Sequence, residues 1–237
     1  MPSVLIVDDE PNIRRMVGAL LASEGYEVRE APDGARGVAL ATEAEPDVAL
    51  VDLMMPGEMD GMAVLAALRE RTPGLPVVMI RPTMFLETFF PLAGPTVRDR
   101  GSIELPFGRG KTSPVAAADV ARVVAAVLAD PGPHVGRIYE LTGPRSQDMH
   151  GVAREFSDAL HREVTYSDIS PGDWERELKR AALPEHLTRH LVTMGELHRA
   201  GRYDRLTDGV ERVTGRPAIS VREFVSLHAD EFGGRRP

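Results

Sequence analysis

The chain contains no cysteine. That excludes disulfides, thiolate nucleophiles and Cys-ligated zinc, and it fits a reducing compartment. No apolar run approaches the ~18 residues needed to cross a bilayer, so no membrane span is expected. The opening MPSVLIVDDE carries no basic leader ahead of its apolar stretch, so it does not read as a signal peptide, and a cytoplasmic location is expected. The chain also lacks an extended basic block, so nucleic acid is not an expected partner.

What is present is enough chain, at 237 residues, for one large α/β domain or two small ones. Charge is uneven along it. Residues 1–80 hold 14 Asp and Glu against 6 Lys and Arg, whereas residues 81–237 hold 22 of each. An acidic front suits a divalent cation. The arginines and lysine between Arg98 and Lys111 read as a solvated loop.

The hydrophobic pattern alternates between short apolar runs and helix-length periodic segments. Strands are expected at Val4–Val7, Glu27–Ala31, Val48–Val51 and Val77–Ile80, with helices at Pro11–Ser23, Asp33–Glu43 and Gly61–Arg71 between them. Such alternation implies right-handed crossover units on a parallel sheet. Beyond Ile80 the spacing predicts an apolar helical patch at Met84–Phe90 and a long loop over 91–114 around a short strand, Ile103–Leu105. Alternation then resumes, with helices at Ala116–Leu128 and Asp148–Leu160 and strands at Ile138–Leu141 and Val164–Asp168. The end of the chain reads as a helical cap with helices at Trp174–Ala182, Glu185–Ala200 and Val221–Asp230. The expected fold class is therefore α/β, a doubly wound parallel sheet of flavodoxin-like and Rossmann-like character with a helical carboxyl-terminal cap.

In such a sheet, ligands sit beyond the carboxyl ends of the strands. Asp8 and Asp9 end the first strand and Asp52 ends the third. Strand tips that are neighbours bring like charges together, which repel unless a cation compensates them, so the three carboxylates read as a hard-metal site with Mg²⁺ as its natural occupant. A carboxylate beside such a metal can attack a phosphoryl group and form an acyl phosphate. Taken singly, each Asp also reads as a loop former or helix cap.

Three segments, VLIVDDE at 4–10, VALVDLMMPGEMDG at 48–61 and PVVMI at 76–80, closely resemble the CheY-like response-regulator receiver family over residues 3–80. The resemblance implies that Asp52 is the phospho-acceptor, that Asp8 and Asp9 are the acidic pair, that Asp9, Asp52 and the Met54 carbonyl hold the metal, and that a histidine kinase is the donor. The loop PGEMDG is one residue longer than the family's usual one. Arg81 stands where receivers place a Ser or Thr after the fourth strand, and the fifth strand with its Lys is absent as such. Thr83 shares the face but lies roughly 6–7 Å further along the strand.

The remainder resembles a second family. The segments RPTMFLE at 81–87, LPFGRGKTSPVAAADVA at 105–121, GRIYELTGP at 136–144, SDALHREVTYSDIS at 157–170 and VERVTGRPAISVREFV at 210–225 are similar to the carboxyl-terminal half of NmrA-like atypical short-chain dehydrogenase/reductases. In that family this half supplies the last strands of a Rossmann-type sheet and a substrate-facing cap. The glycine fingerprint of the dinucleotide-binding half is missing: Gly34 and Gly37 fall in an expected helix, and Gly108-x-Gly110 runs into Ser113. Without those glycines the pyrophosphate loses its close backbone approach. No Tyr has a Lys four residues on, so the reductase acid is also missing, and NAD(P) is not expected to bind.

The organisation expected is residues 1–80 as receiver-like units and 81–237 as the reductase-like half with its cap, merged into one domain because the seam falls in a strand and not in a linker. The leading reading is a non-enzymatic fold chimera, its join more in keeping with design than with nature, that keeps a vestigial Mg²⁺ and phospho-acceptor pocket. Two alternatives stand beside it: an NAD(P)-binding reductase or redox sensor, and a working response regulator with a reductase-like output module. Other residues read as structural. His186 and His190 share a helix face without a third ligand and are expected at or near the surface. Trp174 and the Met and Leu residues of 187–197 read as core, and Asp119 reads as a helix-start carboxylate.

Overall fold

The computed structural model describes residues 3–234 apart from 10, 24, 54, 56, 73–76, 182 and 184. Contacts divide the chain into two compact units, residues 1–79 with 124–137 and residues 80–123 with 138–237.

The first unit is built on strands β1 (Ser3–Val7), β2 (Glu27–Ala31) and β3 (Val48–Val51), paired in the order β2-β1-β3. Both pairings are parallel, with Val7 opposite Ala31 on one side and Val51 on the other. The central strand is buried along Val4–Val7, which is why its sequence is an unbroken apolar run, as strands covered on both faces are. Helices α1 (Pro11–Ser23), α2 (Gly34–Glu43) and α3 (Gly61–Arg71) connect and follow these strands. Asp33 caps α2 by accepting the Arg36 N–H at 2.8 Å, and Asp60 caps α3 by accepting the Ala63 N–H at 2.9 Å; each satisfies an orphan donor of the first turn. Leu5, Val7, Ala31, Leu40, Met55, Val64 and Leu68 share one apolar cluster.

The second unit holds two parallel pairs of short strands. β5 (Ser102–Leu105) lies against β7 (Thr165–Asp168), with Ser102 opposite Thr165. β4 (Met79–Pro82) lies against β6 (Ile138–Leu141). Around them pack α4 (Phe89–Arg100), α5 (Ala117–Ala129), α6 (Met149–Leu160), α7 (Pro171–Arg180), α8 (Glu185–Arg199), α9 (Gly209–Thr214) and α10 (Val221–Leu227). Phe89, Phe156 and Phe232 meet edge-on at the centre of the larger apolar cluster. The unit boundary falls within β4, and α5 runs from the second unit into the first.

The structure corrects several expected elements. The stretch 91–114 is not one long loop, because α4 runs through it to Arg100. Pro91 lies in the first turn, where no N–H is needed. Pro95 costs one helix bond, but Phe89, Ala93 and Val97 form a fully buried face at helical spacing, so packing overrides propensity. Met84–Phe90 is not a single helical patch; Phe85 bridges Val115 as extended chain before the helix begins. The fourth strand lies two residues later than Val77–Ile80, so Arg81 is within it and not after it. Helix α9, for which no expectation existed, is a short turn ended by Gly215 in the left-handed region.

Candidate functional site

In the first unit, the ladder does not stop where the strands do. The Asp8 N–H donates to the Ala31 carbonyl at 3.2 Å, and the Asp52 N–H donates to the Val7 carbonyl at 2.8 Å. The tips of β1 and β3 are thereby locked side by side, and carboxylate oxygens of Asp8, Asp9 and Asp52 all lie within 4.8 Å of one another. Asp8 and Asp52 are half-buried and Asp9 is exposed. The three expected side chains are therefore brought together. Met54, expected to contribute its carbonyl, lies outside the described residues.

The fit to a hard cation follows from the donors. All are oxygens, and an octahedral Mg²⁺ holds ligands at about 2.0–2.1 Å, so oxygens across it stand about 4 Å apart. Cis oxygens stand closer, at about 3 Å, so three carboxylates whose oxygens lie within 4.8 Å of one another are gathered at the site and would draw together further on a bound cation. Glycine permits the close packing behind the site. A Cβ on Gly61, at the start of α3, would fall 2.0 Å from the Asp52 carbonyl oxygen, so α3 begins directly on the backbone of Asp52 and anything larger would displace it.

In the second unit, Thr83 is buried and its hydroxyl donates to the Ser113 carbonyl at 2.6 Å. Its bond is internal and structural. Asp119, read as a helix-start carboxylate, does more: fully buried, it pairs with Arg122 and accepts the Ile219 N–H at 2.8 Å, tying the segment before α10 to α5. Burial raises its pKa, while the Ile219 N–H and Arg122 oppose that shift. Tyr166 lies 2.8 Å from the Leu105 carbonyl and accepts the Phe107 N–H at 3.1 Å; burial, with Asp168 beside it, raises its pKa above the ordinary phenol value. It is a fastener of the turn after β5. Trp174 and Leu191 are buried in the apolar core, with Leu187 and Met194 packed on it. His190 is exposed, and the side chain of His186 lies outside the described part.

His198 was not singled out by any motif. It is fully buried, stacked on Phe107 at 4.1 Å and tilted against Tyr203 at 4.2 Å. Nδ1 meets the Met194 carbonyl at 3.0 Å, and Nε2 has no hydrogen-bond partner among the described residues. Only its place at the end of an apolar helix face, one residue past the set read as core, hinted at burial. An open groove of about 730 Å³ lies between β6 and α9, with Ile138, Glu140, Leu206, Asp208 and Glu211 among its walls.

Residues 4–85 match the response regulator receiver domain family. Over 163 residues the chain is 32% identical to the NAD(P)H azoreductase of Xenophilus azovorans, a match covering 68% of this chain and 55% of that protein. Over 82 residues it is 45% identical to the DNA-binding dual master transcriptional regulator RpaA of Synechocystis sp., covering 34% of each. The chain is a fusion of a receiver segment with a reductase-like part. It spans about half the length of the reductase relative and about a third of the regulator. The structure of an NADPH-dependent quinone oxidoreductase from Escherichia coli superposes with a TM-score of 0.69 at 19% identity, over 95% of this chain and 99% of that one. That likeness gives the fold: the fusion has the Rossmann-like architecture of such reductases, with a receiver segment in its amino-terminal part. Among the described residues no helix is long and apolar enough to cross a membrane.

Proposed function

We propose that the fusion is a non-enzymatic fold chimera whose receiver segment keeps a divalent-cation pocket, with Asp8 and Asp9 as the acidic pair and Asp52 as the phospho-acceptor. The observation that carries this reading is the convergence of the three carboxylates within 4.8 Å. Bound there, Mg²⁺ supplies charge neutralisation for an incoming phosphoryl group. The Asp52 oxygen attacks phosphorus, an O–P bond forms, and the donor's bond to phosphorus breaks with its electron pair leaving on the donor. A histidine kinase is the partner of stated chemistry, and a small acyl phosphate can replace it in vitro. Phosphotransfer is weak in this reading, because Arg81 lies within β4, the hydroxyl of Thr83 that follows the strand is buried and donates to the Ser113 carbonyl, and no Lys follows in the receiver segment. The join within β4 fits a designed fusion into one domain better than a natural linker.

A second reading, dinucleotide binding, has in its favour the fold shared with an NADPH-dependent oxidoreductase. Against it, the tip of β1, where a doubly wound sheet would receive a pyrophosphate, carries Asp8 and Asp9 in place of glycines, and two carboxylates repel that anion. The test is to incubate the full chain with acetyl phosphate and MgCl₂ and follow the acyl phosphate by mass spectrometry, with NADPH titrated calorimetrically in parallel. The proposal expects Mg²⁺ uptake, a low or short-lived phosphorylated fraction that is lost in Asp52→Asn, and no NADPH signal. Micromolar NADPH affinity without Mg²⁺ uptake would replace it by the second reading.

A further inference from the structure

Arg14 lies one turn into α1, and its guanidinium reaches back to the tip of β1. Nη1 donates to the Asp8 carbonyl at 2.5 Å, while Nε stands 3.4 Å from a carboxylate oxygen of Glu30 near the end of β2. The Arg14 side chain is 14% exposed, so this pair is more sheltered than an ordinary surface ion pair, and its geometry is correspondingly more fixed. Gly18, one turn further along α1, makes room for it. A Cβ there would fall 2.7 Å from Glu30 Oε1, so the helix is relieved at the point where that carboxylate turns towards Arg14.

The Asp8 backbone is thus gripped at both ends, its N–H by Ala31 in the β2 ladder and its carbonyl by Arg14. A peptide unit is planar. Fixing the Asp8 carbonyl therefore fixes the plane that carries the nitrogen and Cα of Asp9, and with it the direction in which Asp9 leaves the strand. Asp9 is the exposed member of the carboxylate trio and lies beyond the last paired residue of β1. We propose that Arg14 is the positioning residue of the pocket, setting Asp9 against Asp8 and Asp52 for a divalent cation. This rests on the cation-binding reading of the three aspartates.

Charge and position make opposite demands. A cation beside the pocket disfavours Mg²⁺ by Coulomb repulsion, so a role in charge alone would make removal of Arg14 tighten metal binding. A role in position makes its removal loosen Asp9 and weaken binding. Glu30, in ion-pair contact with the guanidinium, offsets much of the charge term and leaves position to decide the sign.

The experiment is calorimetric titration of MgCl₂ into the full-length parent, Arg14→Met and Arg14→Lys, with the metal-free melting temperature of each recorded alongside. Losses on the order of 10-fold accompany removal of groups that orient metal ligands. About that weakening is expected for Arg14→Met at a metal-free melting temperature close to the parent's. Arg14→Lys keeps the charge but cannot span both partners in one plane, so it too is expected to bind more weakly than the parent. Should Arg14→Met fail to fold, the Lys variant decides. Binding as tight as the parent's in either variant, or tighter, overturns the inference and leaves the pocket's cation reading standing. A parent that takes up no Mg²⁺ overturns both.

Discussion

The Asp52 N–H donates to the Val7 carbonyl at 2.8 Å, one step past the last register pair of β1 and β3, Val7 with Val51. That single bond carries the ladder out to the strand tips and places Asp52 beside the Asp8-Asp9 pair. Convergence of the carboxylates is therefore a consequence of strand order and register, with loop conformation adding the adjustment.

Convergence has a cost that a cation removes. Two unit charges about 4 Å apart repel by roughly 1 kcal/mol in water and more where they are partly buried. Asp9→Asn and Asp52→Asn are each expected to raise the metal-free melting temperature and to abolish the further rise that millimolar MgCl₂ gives the parent. In the parent, metal at about 100 times its dissociation constant contributes roughly 2.7 kcal/mol. Thermal melts with and without MgCl₂ check this. A parent unmoved by Mg²⁺, with less stable Asn variants, would make the aspartates structural caps.

The seam bears on cooperativity. The chain passes between the two compact units inside β4, inside α5 and once more between Arg137 and Ile138, so the first two crossings fall within regular elements and not in linkers. A single unfolding transition is expected, seen at the same urea midpoint by far-UV circular dichroism and by Trp174 fluorescence. Two transitions at separate midpoints would instead mark independent domains.

Much of this was legible from residues alone, for identifiable reasons. The strands of the first unit are short apolar runs closed by aspartates, and the acidic pocket needs only strand order and period to be placed. Asp33, read as the first residue of α2, is instead the cap that precedes it, and Asp60 caps α3 without having been singled out. Helix α4 was hidden because Pro91, Gly94 and Pro95 read as breakers, whereas the burial of Phe89, Ala93 and Val97 in a cluster that joins Ile103 and Leu105 of β5 to the distant Phe156 and Phe232 decided the matter. Asp119 was legible as a helix-start acid, but its bond to the Ile219 N–H, 100 residues on, has no local signature. Nor has the grip of Arg14 on Asp8, since an arginine at that position of an amphipathic helix reads as solvated.

His198 gives the pH dependence. Its ring is enclosed by Phe107 and Tyr203. Nδ1 faces a carbonyl oxygen and so carries the proton, leaving Nε2 as the site that would be protonated in acid. Burial disfavours the imidazolium, and although the Met194 carbonyl opposes the shift, the pKa is pushed down from 6.5 to about 4. A base whose folded pKa lies below its unfolded value stabilises the fold fully above the unfolded pKa and loses that contribution as pH falls towards the folded one. The window is therefore pH 6.5 down to about 4. At about 1.4 kcal/mol per pH unit, the loss across it is on the order of 3 kcal/mol. Urea midpoints recorded from pH 7.5 to pH 4.5 are expected to fall by a corresponding amount in the parent. His198→Leu gives up the bond to Met194 and is expected to be less stable at pH 7.5, yet to lose markedly less on acidification. If parent and variant lose stability in parallel between those pH values, the acid sensitivity belongs to other groups and the buried imidazole is not its source.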